Sequence, residues 1–265
     1  MQLGRLKPKE RRGSKPRCHL LTSGQPAEVA ARLTALIDPF GSVNPDDSWM
    51  PEGFEDVEEA QLHKAPRLIA EPVASKLRDW WLAPGSHRAL TPNFDIASTC
   101  SVAGTPGILL IEAKAHEAEL LNECHGRKLD SRPRRDGQMP DPRALSHDTI
   151  GDAISEACAG LASATGLRLA ISRDRCYQMS NRFAWAWKLT QLGIPVVLVY
   201  LGFLNCDEMR AHSDPFASDA VWTRLVLEHS APLFPETMWN RPWACNGQTL
   251  IPLVRSLEQP LPSAR

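Results

Sequence analysis

Two apolar runs constrain this chain more than any other feature: Ile108 to Ala115 (ILLIEAKA) and Ile194 to Phe203 (IPVVLVYLGF). A near-continuous row of aliphatics implies a strand covered on both faces, as the central strands of a sheet are. The second run follows a strong helical stretch, Asp174 to Leu192, punctuated by Gly193. A helix leading into a buried strand implies an α/β fold with a covered sheet.

The first run has a partner just upstream. Phe94 to Val102 (FDIASTCSV) has strand composition, and Ala103 to Gly107 (AGTPG) has turn composition, so the economical arrangement is a hairpin. Helices are expected over Pro26 to Leu36, Glu55 to Lys64 and Glu71 to Leu82, the last with Val73, Leu77, Trp80 and Trp81 on one stripe. Further helices are expected over Asp148 to Ala164 and Ala217 to His229, a short strand or extension over Arg168 to Ser172, and a terminal strand around Thr249 to Ser256. Residues 38–54 carry turn residues densely enough for an irregular connector. Gly126 to Arg143 is a long polar loop rich in Arg, including Arg127, Arg134 and Arg135.

Charge is unevenly spread. Seven Lys or Arg and one acid in residues 1–17 make a local +6 in a chain of net −1, leaving an acidic body. Such an arm either neutralises phosphates by counterion release or stands in solvent as a disordered tail. No run of eighteen apolar residues and no secretory signal are present, which implies a cytoplasmic protein. The seven cysteines are odd in number and include no C-x-x-C pair, which fits reduced thiols. Cys124 and His125, with His116 and His147 nearby, lack zinc-ligand spacing, so solvated loop residues are the expectation there and zinc is not.

The chemistry concentrates on the hairpin. Glu112-Ala113-Lys114 is the single (D/E)-x-K in the chain and ends the buried run, so Glu112 and Lys114 emerge on one face while Ile111 and Ala113 face the other. Folding the hairpin brings Asp95 opposite. Uncompensated charges on a covered strand are costly, and a divalent cation with a water is one compensation that also supplies chemistry. Carboxylate oxygens suit Mg²⁺, with Mn²⁺ as a substitute. Lys114 would orient or deprotonate the attacking water and stabilise the charge that develops on phosphorus.

The chain here resembles the PD-(D/E)XK nuclease superfamily, the restriction-endonuclease-like fold. Pro92-Asn93-Phe94-Asp95 is similar to the PD element and Glu112-Ala113-Lys114 to the E-x-K element, although two residues separate Pro92 from Asp95. The resemblance implies a mixed β-sheet core flanked by helices over residues 55–203, after a basic arm (1–17) and an N-terminal extension (18–54), and before a C-terminal extension (204–265) packed on the core. It implies that Asp95 and Glu112 bind the metal and that Lys114 works on the water. It also implies a further metal ligand on the first helix, among Glu55, Glu58 and Glu59 with Glu59 preferred, and a polar site residue on the helix after the hairpin, Gln178. Asn181 and Arg182 follow one turn on, and Arg182 at a helix N-terminus is placed to meet phosphate.

Remaining candidates for nucleic-acid contact are Arg127, Arg134 and Arg135 in the polar loop. His87, Arg88 and His116 flank the hairpin and touch phosphate or serve as boundary residues. Trp185 and Trp187 are expected in the core, whereas Trp222, Trp239 and Trp243 remain open to base stacking. The expected function is hydrolysis of DNA phosphodiesters by a Mg²⁺-dependent nuclease. One site per chain implies a homodimer or a partner subunit for cleavage of both strands. The alternative is a non-catalytic nucleic-acid-binding or regulatory subunit that retains the fold. No G-x-S-x-G, H-E-x-x-H or Gly-rich phosphate loop points to other hydrolase chemistry.

Overall fold

A computed structural model describes residues 2–84, 91–127 and 142–262. The elements run α1 (Ser14–Leu21), α2 (Pro26–Ile37), β1 (Gly41–Ser42), β2 (Trp49–Met50), α3 (Val73–Trp81), β3 (Ile96–Val102) and β4 (Thr105–Lys114), then α4 (Glu117–Leu121), α5 (Pro142–Thr165), α6 (Tyr177–Gln191), β5 (Val196–Leu204), α7 (Asp219–Ser230), β6 (Trp243–Cys245) and β7 (Gln248–Glu258). The strands form one mixed seven-stranded sheet in the order β1-β3-β4-β5-β7-β6, with β2 also pairing β3. β4 pairs antiparallel with β3 and parallel with β5, and β5 pairs parallel with β7.

The two apolar runs are the middle of this sheet, and both faces are covered. On one face Ile108, Leu110, Val196, Leu198, Leu250 and Val254 pack against α3, α5, α6 and α7. On the other, Leu109, Ile111, Ala113, Val197, Val199, Ile251 and Leu253 meet α1 and α2. This double cover explains why neither run alternates. By parity, Glu112 and Lys114 belong to the face under α6.

Several expectations change. The helix expected over 55–64 is reduced to a single 3₁₀ turn, Leu62–Lys64. Ala60 and Phe94 exchange both backbone hydrogen bonds, at 3.2 and 3.0 Å, which pulls the preceding residues into extended pairing beside the hairpin. Helix propensity is worth tenths of a kcal/mol per residue and yields readily to such a pairing. The connector 38–54 holds two short strands, β1 and β2, that extend the sheet past β3. Residues 168–172 make no strand.

The basic segment 2–17 is folded onto the body instead of standing in solvent. Leu6 is buried, and Arg17 is only 2% exposed, donating to Glu208 at 2.5 and 3.0 Å and to the Gln259 carbonyl at 2.9 Å. Arg5 donates to Glu55, and Lys15 pairs with Glu10 and Glu59. Acidic residues of the body thus take up part of the arm's charge, a long-range match that local charge density cannot reveal. Lys7, Lys9 and Arg12 stay exposed. The segments flanking 55–203 are also integral. α1 and α2 cover one sheet face, and β7 pairs in parallel with β5 over nine residues, so packing does not divide at residue 203. Among the described residues no helix is long and apolar enough to cross a membrane.

Candidate metal centre on the central sheet

Register assembles the site. The β3–β4 ladder pairs Ile96 with Ile111, so the next residues outward, Asp95 and Glu112, lie opposite each other. The Ala60–Phe94 bridge likewise sets Glu59 opposite Asp95. Directly opposed residues of antiparallel strands share a face. Glu59, Asp95 and Glu112 therefore form a row across three extended segments, with Lys114 two residues beyond Glu112. Glu59 joins this row from an extended segment and not from a helix, as the resemblance implied.

Asp95 ends the ladder with its side chain, Oδ2 accepting from the Ala113 amide at 2.7 Å. Among the described residues no donor reaches Oδ1. Burial, and after it the neighbouring Glu112, raise its carboxyl from 3.8 to about 8; Glu59 adds to this, against the pull of Lys114 and the Ala113 amide. A carboxyl held neutral by burial first and adjacent carboxylates second is one whose charge the protein alone does not compensate.

Glu112 is the anchor. It is 2% exposed, and its Oε1 accepts from Lys114 and, at 2.5 Å, from Gln178 Nε2, while Oε2 accepts from Arg182 Nε at 2.6 Å. Burial by itself would raise its pKa; Arg182 and then Lys114 outweigh burial and hold it below the ordinary value. Gln178 and Arg182 are four residues apart on α6 and so share the helix face turned to Glu112. Arg182 also lies over the Phe94 ring, 4.8 Å from its centroid.

Lys114 is clamped between Glu112 and Glu123, the latter at 2.6 Å. Burial opposes its charge, but Glu112, Glu123 and Asp95 together raise its pKa and keep it an ammonium. Glu123 carries no signal in the sequence: its polar, Cys-flanked setting gives no reason to expect a carboxylate that is 3% exposed.

The other expected contacts divide. Arg182 is 5% exposed and occupied by Glu112, which corrects its assignment to phosphate. Arg127 is half-buried, with Nη1 2.9 Å from His147 Nδ1, beside the start of α6. Arg134 and Arg135, with His87 and Arg88, lie outside the described residues. His116 is 9% exposed and 3.6 Å from Glu119. Trp185 and Trp187 are core residues as expected, and Trp222 and Trp239 join them at 0% and 4% exposure, which removes both as stacking platforms. Trp243 is half-buried under Arg241.

A groove of about 400 Å³ opens beside the row, lined by Lys15, Glu58, Glu59, Gln61, Lys64 and Asn93. Asn93 donates to Glu59 at 3.2 Å. The donor set of the row is all hard oxygen, the ligand type that Mg²⁺ takes, although the three carboxylates do not all come within 4.8 Å of one another. No family model, no curated protein and no solved structure matches this chain.

Proposed function

We propose that this protein is a Mg²⁺-dependent nuclease of the PD-(D/E)XK type that hydrolyses phosphodiester bonds in DNA. The observation that carries the reading is the row Glu59, Asp95 and Glu112 with Lys114 on one face at the end of β4. Asp95 and Glu112 are the principal metal ligands and Glu59 a third. Bound there, Mg²⁺ supplies a Lewis acid that lowers the pKa of water and neutralises the scissile phosphate.

The chain's own residues supply the rest. Glu59 lines the groove, with Lys15 and Lys64 also on its wall to meet phosphate. Lys114 stays protonated and places positive charge where the pentavalent phosphorus gathers negative charge. Gln178 and Arg182 set the orientation of Glu112 through one hydrogen bond to each of its oxygens, and Glu123 sets that of Lys114. These are positioning roles. Exposed Lys7, Lys9 and Arg12 add sequence-independent attraction for the DNA backbone.

The test is incubation of the purified chain with linear, supercoiled and single-stranded DNA in Mg²⁺ or Mn²⁺. Cleavage that disappears in Asp95→Asn and Lys114→Ala supports the proposal; intact DNA under every condition defeats it. A second reading is a non-catalytic nucleic-acid-binding or regulatory subunit. One observation favours it: both oxygens of Glu112 are already taken by Lys114, Gln178 and Arg182, a satisfied buried network that needs no ion. Calorimetric Mg²⁺ titration separates the two, since that reading requires no heat of binding sensitive to Asp95→Asn.

A further inference from the structure

Beyond the carboxylate row, a second cluster lies on the far side of Glu123. The segment around Cys124 and the approach to α6 run antiparallel: His125 bridges Arg175, the Cys176 amide donates to the Cys124 carbonyl at 3.2 Å, and the Tyr177 amide donates to His125 at 3.1 Å. This register sets Cys124 opposite Cys176. The close approach depends on Gly126, where a Cβ would stand 2.3 Å from the Asp174 carbonyl oxygen. His229, in the last turn of α7, reaches in from a third element and brings Nδ1 to 3.2 Å from Cys124 Sγ. The two sulfurs and the imidazole nitrogen all lie within 4.8 Å of one another.

We propose that Cys124, Cys176 and His229 form a Zn²⁺ site, separate from the carboxylate row, with its fourth coordination position open to a cavity. Two thiolates and an imidazole are a borderline-soft donor set that selects Zn²⁺ over Mg²⁺. Bonds of about 2.0–2.3 Å to a tetrahedral ion need ligand atoms somewhat under 4 Å apart, which small side-chain rotations supply from the present spacing. Binding expels the two thiol protons, and the imidazole coordinates in its neutral form.

Three further observations converge on this cluster. The distal nitrogen of His229, Nε2, is buried, makes no hydrogen bond among the described residues, and faces Glu123 Oε2 at 3.6 Å. A closure of about 0.5–1 Å would let Nε2 donate to this carboxylate, the arrangement that orients metal-ligating histidines. Cys176 has φ 42° and ψ 51°, a left-handed conformation uncommon outside Gly, Asn and Asp, and such strain persists where surrounding structure holds it for a purpose. A cavity of about 410 Å³ opens onto all three ligands, with Glu117, Arg175 and Glu228 on its wall, giving a water or a small anionic ligand access to the fourth position. The cluster ties the segment after α4 to the start of α6 and the end of α7. Through Glu123, which touches both His229 and Lys114, it also steadies the ammonium of the carboxylate row.

The experiment uses the full chain, reduced, stripped with chelator and titrated with Co²⁺ and then Zn²⁺. A thiolate-to-cobalt charge-transfer band that saturates at one equivalent and is displaced by Zn²⁺ is expected. The band should vanish in Cys124→Ser, whose exposed side chain is dispensable for packing, and in His229→Ala, and persist in Cys158→Ser. Glu123→Gln should weaken binding by about 10- to 100-fold. No band in the reduced wild type, or one that survives in Cys124→Ser and His229→Ala, overturns the proposal. Mg²⁺ on carboxylates gives no such band, so the result is independent of nuclease activity.

Discussion

Asp95→Asn should stabilise the metal-free protein while abolishing the proposed cleavage. The native carboxyl sits at about 8 against an ordinary 3.8. Between those values the native state keeps a proton that the unfolded chain has released, so it binds more protons and stability falls as pH rises through that window. At about 1.4 kcal/mol per unit the full shift corresponds to about 5–6 kcal/mol above pH 8, an upper bound that water at the half-buried carboxyl reduces to about 2–3 kcal/mol. Asparagine keeps an acceptor for the Ala113 amide and carries no charge against Glu112 and Glu59. Urea unfolding of stripped wild type and variant should therefore show a variant advantage at about pH 8.5 that shrinks to nothing near pH 4. Adding Mg²⁺ should reverse the order by stabilising the wild type alone. A variant that is less stable by the same amount at both pH values would falsify the electrostatic reading of Asp95.

Arg182→Ala leaves Glu112 Oε2 without its donor while Lys114 and Gln178 still hold Oε1, and should cost about 1–3 kcal/mol in urea unfolding; Arg182→Lys should not fully recover it because the Nε donation and the stacking on Phe94 are lost, and wild-type stability in either variant would contradict the anchoring role. Lys114→Ala should lower the single-turnover cleavage rate by about 100- to 1,000-fold, with DNA affinity measured by filter binding little changed; a purely binding defect would move Lys114 out of the reacting centre. Gly202→Ala should destabilise by about 1–3 kcal/mol, since a Cβ there stands 2.5 Å from the Trp222 ring; unaltered thermal unfolding would show that α7 is free to shift.

The parts governed by local rules were legible in the residues alone. Hydrophobic runs located the central strands, because a strand covered on both faces has no position for a polar residue except where chemistry requires one. Period-two geometry put Glu112 and Lys114 on a common face, and the hairpin fold brought Asp95 opposite them. Helical periodicity similarly placed Gln178 and Arg182 one turn apart on α6. What each of those residues does was a tertiary matter. Arg182, expected to meet phosphate, is buried on Glu112, since the energy of an unpaired interior carboxylate outweighs a solvent-facing role. Glu59 reached the row through the backbone pairing of its neighbour Ala60 with Phe94, where helix propensity pointed elsewhere. The basic arm found acidic partners nearly two hundred residues away, as Arg17 did in Glu208. Cys124, Cys176 and His229 have no motif spacing, and only the packing of α7 against the α6 entry brings them together. Local propensity and periodicity act over a few residues and leave their mark in the sequence, whereas pairing energies between distant charges and ligands depend on a geometry that exists only once the sheet has formed.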